Sequence, residues 1–157
     1  MWELRCPIYL YKFVIGIFEI NKNIITHQLN FYSVENNKFK KLKVAKTNSL
    51  YNSKIAGNFF GWLTLNEQKK ISKLTKLMRY PCSDALSYCQ LCEGKLNVVL
   101  QCYNKIWDIH PMIPLIRNAG GYINTWNGKD PKIAGSIVAS SSKELQKKIL
   151  KMVKPVA

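Results

Sequence analysis

Apolar residues change their spacing several times along the chain, and each change marks an element. Ile8 to Ile20 is dense in Ile, Phe, Tyr and Val, which predicts a strand. A second strand-like stretch runs from about Ile24 to Val34. Asn36-Asn37 supply a turn, and Lys38 to Val44 return with alternating apolar and basic positions, so residues 24–44 read as a hairpin. Lys54 to Gly57 is a short strand leading into a loop over 58–63. At Thr64 the period becomes helical. Thr64 and Glu67 form a capping box, each able to satisfy one orphan amide of a helix start. Ile71, Leu74, Leu77 and Met78 then share a face, with lysines opposite, until Pro81 stops the helix. Ser83 is placed to cap a second helix, which runs to Glu93 with Gly94 as its stop.

In the second half, Leu96 to Cys102 is a mostly apolar strand. Asp108 precedes a short helix over 109–118 that Gly120-Gly121 close, and Tyr122–Trp126 and Ser136–Ala139 read as strands around an Asn127-Gly128 turn. Ser141 and Glu144 repeat the capping box before a final amphipathic helix to about Val153. Alternating strands and helices predict an α/β fold. No repeat, low-complexity tract or Gly/Ser linker divides the 157 residues, so they read as a single domain.

Composition narrows the function. With 47% hydrophobic and 21% charged residues the chain can bury a core. Its apolar runs are too short for a membrane helix of ~20 residues. No secretory leader pattern opens the sequence, and five cysteines, an odd number, argue against a disulfide framework. A cytoplasmic location is therefore expected. The net charge of +15 invites a nucleic-acid reading, but both halves are basic, with 13 Lys+Arg against 4 Asp+Glu over residues 1–78 and 11 against 5 over 79–157. Lysines scattered among Asn and Ile read as a solvated surface, and a nucleic-acid-binding module stays the lesser alternative.

Nine acidic residues leave few candidates for carboxylate chemistry. Asp108 is the most pointed, because a carboxylate at a helix start can cap the helix and still offer an oxygen to a hard cation. Taken in isolation, the residue reads first as a plain cap. Cys89 and Cys92 have the spacing of half a zinc site, but with no second pair and only His27 and His110 they read as helix cysteines facing a core. His110 reads as a packed or surface imidazole.

Trp107-Asp108, ten residues, then Ala119-Gly120-Gly121 resembles the C-terminal signature of the inositol monophosphatase-like, metal-dependent phosphatases. Ser83 to Cys89 and Glu93 to Val99 resemble the family's preceding helix and strand, and Tyr122 to Lys129 with Gly135 to Ser141 resemble its closing strands. Ile113-Pro114 inside the motif helix and the Trp126-Asn127-Gly128 turn are closest to the histidinol-phosphate phosphatase branch. The resemblance is specific over 79–142, fair over 38–78 and weak over 1–30, where a β-rich segment (1–37) precedes the matching region (38–157). It implies a mixed sheet flanked by helices, like the C-terminal half of the family's layered α-β-α-β-α fold. It implies Mg2+ as cofactor, Asp108 as a metal ligand, and Ser83, Asp84, Ala85 and Asn118 beside a small phosphomonoester. Asn118 stands where inositol-type members place a glutamate, which argues against inositol.

The family's first metal motif, D-P-[IL]-D-G-T, does not occur in the sequence; Asp130-Pro131 matches only its first two letters, within a turn. Mg2+ seeks six oxygens, and two-ion phosphoester hydrolysis needs more than one aspartate. The reading is therefore the C-terminal half of a Mg2+-dependent phosphomonoesterase, inactive alone, with a non-catalytic remnant or partner subunit as the alternative. The faces expected to lie uncovered, and to bind an N-terminal half or a second copy, are Phe13–Phe18 and Leu96–Cys102.

Overall fold

The computed structural model describes residues 12–20, 27–35, 38–59 and 62–157. Lys12–Ile20 (β1), His27–Glu35 (β2) and Lys38–Lys41 (β3) form an antiparallel sheet in that order. β2 and β3 are the expected hairpin, with Glu35 opposite Lys38. The start of the first expected strand, residues 8–11, and the 36–37 turn lie outside the described residues.

The site is carried by a second, five-stranded sheet. Its strands are Ile55–Asn58 (β4), Met78–Tyr80 (β5), Val98–Asn104 (β6), Tyr122–Thr125 (β7) and Gly135–Ser140 (β8), in the order β5-β4-β6-β8-β7. β4 runs parallel to β5 and β6, while β8 is antiparallel to β6 and β7, so the sheet is mixed as expected. The helices are Leu65–Lys70 (α1), Ser72–Thr75 (α2), Asp84–Cys92 (α3), Ile106–Ile109 (α4), Met112–Asn118 (α5) and Lys143–Val153 (α6).

Side chains of a strand alternate between faces, and the two cores follow that period. Val98 and Leu100 join Ile55 and Val138 on one face, under Ile71, Leu74, Leu145, Ile149 and Val153. Val99 joins Ala56, Ile137 and Ala139 on the other, under Leu91 of α3, Ile109 of α4 and Met112, Ile113 and Ile116 of α5. Each fully buried aliphatic side chain contributes about 1.5–3 kcal/mol. This arrangement corrects one expectation: β6 is the centre of the sheet, Val98, Val99 and Leu100 are fully buried, and the Leu96–Cys102 face is not uncovered. The side chains of Phe13–Phe18 lie outside what the structure describes.

Three further expectations change. The helix expected from Thr64 to Pro81 is short: α1 begins with the capping box, Glu67 Oε2 accepting the Thr64 N–H at 2.8 Å, but the backbone turns at Ile71 (φ −108°, ψ 22°). Met78–Tyr80 then pairs with β4, because an open sheet edge offers ladder hydrogen bonds that an exposed helix end lacks. The last helix is capped by Ser142, whose Oγ accepts the Leu145 N–H, and not by Ser141. β7 and β8 are neighbours, but a 3-10 turn over Pro131–Ile133 lengthens their connection beyond a tight Asn-Gly hairpin.

The Ala119-Gly120-Gly121 motif has a packing reason. Gly120 follows α5 with φ +84°, the left-handed region where a Cβ is penalised. A Cβ on Gly121 would lie 2.9 Å from Ile116 Cγ2 and 3.2 Å from the carbonyl oxygens of Ile116 and Ser140. The two glycines let α5 end abruptly and lie hard against the sheet.

Candidate active site

Ligands of open α/β sheets bind beyond the carboxyl ends of the strands, where loops and helix starts converge. Here the parallel strands β4 and β6 end at Asn58 and Asn104, and a cleft of about 260 Å³ opens there. Asn58 and Gln101 to Asn104 line it from the strands, Asp84, Ala85 and Tyr88 from α3, Asp108 from α4, and Trp62 from the loop after β4.

Gln101 is a polar residue on a face that otherwise builds core. It is buried, and its Nε2 donates to Asp84 Oδ1 at 3.1 Å. Asp84 begins α3 with φ +36°, a conformation that costs a non-glycine residue about 1–2 kcal/mol. Strain of this kind gathers at functional sites. Ser83 does not cap α3 with its side chain; its N–H donates to Ser87 Oγ at 2.8 Å. Tyr88 is buried, and its hydroxyl has no hydrogen-bond partner among the described residues. Burial, then the proximity of Cys82, Asp108 and Asp84, pushes its phenol well above the usual range, so it stays neutral.

The ladder between β6 and β8 shifts register between Gln101 and Asn104. Tyr103 sits in that shift with φ +52°, its ring turned outward beside Trp62, with centroids 5.1 Å apart. Bulges of this kind re-aim side chains next to active sites. Asn104 pins the turn, its Nδ2 donating to the carbonyls of Gly135 at 3.0 Å and Gln101 at 3.3 Å.

Asp108 is exposed and is the third residue of α4, not the residue preceding the longer helix. Its Oδ2 accepts the Lys105 N–H at 2.8 Å. The carboxylate thus caps α4, the plain role read from the sequence, and also lines the cleft. His110 is a surface imidazole, its Nε2 lying 2.9 Å from the Lys132 carbonyl. Asp130 caps the 3-10 turn by accepting the Lys132 N–H at 3.0 Å. Cys92 is buried in the apolar core, and burial holds its thiol far above the usual range.

Among the described residues, no group of three or more His, Cys, Asp or Glu could hold a metal ion. Asp84 and Asp108 are the two carboxylates in the cleft lining. Mg2+ is commonly held by one or two carboxylates, with waters and substrate phosphate completing its octahedron. That donor set fits one partly hydrated Mg2+ and does not fit a two-ion centre.

Of the residues singled out by sequence, the fold brings Asp84, Ala85 and Asp108 to one cleft. Ser83 lies next to it in the chain but does not line it, and Asn118 is exposed at the end of α5, outside the lining. Asn58, Trp62, Tyr88, Gln101, Tyr103 and Asn104 join the lining without having stood out in the sequence. One signal was available: Gln101 interrupts the apolar run of β6 at a core-facing position.

The Inositol monophosphatase family pattern matches residues 20–156. The chain belongs to this family of Mg2+-dependent phosphomonoesterases. It is 25% identical over 116 residues to a histidinol-phosphatase of Mycobacterium tuberculosis, an alignment covering 71% of this chain and 44% of that protein. Among solved structures, the extragenic suppressor protein suhB of Bartonella henselae superposes with a TM-score of 0.65 at 16% identity, over 82% of this chain and 54% of that one. An IMPase/NADP phosphatase in complex with Mg2+ and phosphate superposes with a TM-score of 0.59 at 14% identity, over 78% and 49%. The chain thus spans about half the length of the relatives it matches. Among the described residues, no helix is long and apolar enough to cross a membrane.

Proposed function

We propose that this chain forms the C-terminal part of a Mg2+-dependent phosphomonoesterase of the histidinol-phosphatase branch and lacks turnover by itself. The carrying observation is the position of Asp108, in a cleft at the carboxyl ends of β4 and β6 that holds two carboxylates and no larger cluster among the described residues. Asp108 is the residue to hold the ion, with Lys105 N–H fixing one of its oxygens. When bound, Mg2+ supplies charge neutralisation for the phosphate and lowers the pKa of a coordinated water. The branch assignment is supported by the histidinol-phosphatase relative, and Asn118 in place of a glutamate argues against inositol.

A partner that completes the metal ligands is supported by the exposed apolar residues Ile106, Trp107 and Ile133, on α4 and the 3-10 turn that touches it. The test is a phosphate-release assay with histidinol phosphate and Mg2+. It compares the chain alone with the chain mixed with a polypeptide that carries a D-P-x-D-G-T motif. We expect turnover only in the mixture, and Asp108→Asn to abolish it. Turnover by the chain alone that Asp108→Ala removes would sink the claim of inactivity, and full activity of the mixture after Asp108→Asn would sink the metal role. A mixture without turnover would favour a non-catalytic remnant.

A further inference from the structure

Lysines dispersed in the sequence are gathered by the fold. Segments 65–76 and 143–156, 26 of the 157 residues, contain nine lysines against two glutamates, +7 of the net +15. They build one layer: α2 packs beside α6, and α1 packs against the 3-10 turn at Lys154–Val156. Ile71, Leu74, Leu145, Ile149 and Val153 turn inward to the core, and all nine lysines are exposed. Glu67 is engaged by Thr64 in the cap of α1. Among the described residues, no ion pair holds any of the nine lysines.

This arrangement works against the stability of the helices that carry it. Lys143, Lys147 and Lys151 follow one another at i, i+4 and i+8 on α6, where like charges repel. Lys143 also opens the helix, the end at which the macrodipole disfavours a cation. Lys148 donates to the Asn48 carbonyl at 2.8 Å and so ties α6 to the loop before β4. The other eight project a single sign of charge into solvent. A second surface of opposite sign relieves that repulsion.

The chemistry of the layer selects its partner. Every cation is a lysine, a point charge suited to phosphate, and none is the planar arginine fork that reads base edges. Neither segment contains Phe, Tyr or Trp, so nothing stacks the bases of a single strand. The apolar faces of α2 and α6 are spent on the core and leave no face to enter a bilayer. Point charges on packed helices, without base readout or stacking, fit the backbone of a duplex. The stripe of Lys143, Lys147 and Lys151 rises about 12 Å at about 1.5 Å per residue. A duplex presents a phosphate about every 3.4 Å along each strand, so the stripe meets about three of them.

We propose that the layer of α1, α2 and α6 is a nucleic-acid-binding surface that takes duplex phosphate backbones without sequence preference. It lies on the sheet face opposite α3 and α5 and shares no residue with the cleft, whose lining holds no lysine or arginine. The surface therefore stands independently of the phosphatase reading.

The test follows binding of the full chain, without Mg2+, to a short labelled DNA duplex by fluorescence anisotropy. Contacts to about four or five phosphates predict a loss of affinity of about 10²–10³-fold between 50 and 200 mM salt. A variant combining Lys73→Gln, Lys143→Gln, Lys147→Gln and Lys151→Gln should bind at least about tenfold more weakly and lower the salt slope by about three. A control combining Lys38→Gln, Lys40→Gln, Lys41→Gln and Lys43→Gln removes the same charge from β3 and its flank, and should bind within about threefold of the parent. Circular-dichroism melts should show the first variant at least as stable as the parent, because like-charge repulsion is relieved. Equal losses in the two variants would assign binding to net charge and overturn the surface. Absence of duplex binding at about 50 mM salt, or tighter binding to a single strand of the same sequence, also overturns it. Binding to phosphatidylserine vesicles that the first variant loses, while its duplex binding survives, would make the partner a membrane and overturn the nucleic-acid reading.

Discussion

Gln101 and Asp84 lie 17 residues apart and meet at 3.1 Å, the amide of the central strand donating to the carboxylate that opens α3. That bond joins the middle of the sheet to a cleft residue held at φ +36°. Its neighbourhood supports several measurable consequences.

Tyr88→Phe should stabilise the fold or leave it unchanged. The hydroxyl is buried and has no hydrogen-bond partner among the described residues, so its removal relieves a desolvation cost of about 1–3 kcal/mol while the ring keeps its packing. Thermal melts monitored by circular dichroism check this. A clear fall in melting temperature would mean that the hydroxyl has a structural partner.

The two glycines after α5 should fail for different reasons. Gly120→Val forces a β-branched side chain into φ +84° and is expected to cost at least 1–2 kcal/mol, roughly the penalty of a left-handed residue. Gly121→Ala places a methyl 2.9 Å from Ile116 Cγ2 and against two carbonyls, an overpacking of about 1–3 kcal/mol. Denaturant midpoints for the two variants would show the losses, and an unchanged midpoint in either contradicts its mechanism.

Cys102 gives a pH signature. Burial pushes its thiol from 9.0 to about 11, so the folded state holds a proton that the unfolded chain releases. Its contribution is therefore complete below pH 9.0 and is lost as pH rises towards about 11. Stability of the wild type should fall across that window, and Cys102→Ala should flatten the fall. Parallel slopes for the two proteins would rule out Cys102 as the source.

Association should track the exposed rim of α4. Trp107 is 74% exposed beside Ile106, and Ile133 faces the same region from the 3-10 turn. Trp107→Asp should reduce any self-association, or binding of a complementing polypeptide, seen by sedimentation over a concentration series. A wild type that stays monomeric and binds no such polypeptide would leave this rim without a partner role.

Local rules in the sequence decided much of the architecture. The Thr64–Glu67 box, the period-2 alternation through β6 and the glycines closing α5 are short-range or packing demands written into adjacent residues. The Trp107-Asp108 and Ala119-Gly120-Gly121 spacing sufficed for the family. What tertiary structure alone decided were outcomes of competition between distant segments. Met78–Tyr80 left its helical pattern because β4 offered a free edge, and β6 became the buried centre because α3 and α5 cover one face and α2 and α6 the other. The cleft is the plainest case. Trp62, Asp84, Tyr103 and Asp108 are dispersed in sequence and come together because the parallel β4 and β6 end side by side, with the break at Tyr103 turning one ring onto another. No local pattern encodes that meeting, since it depends on strand order and on the register shift beside β8.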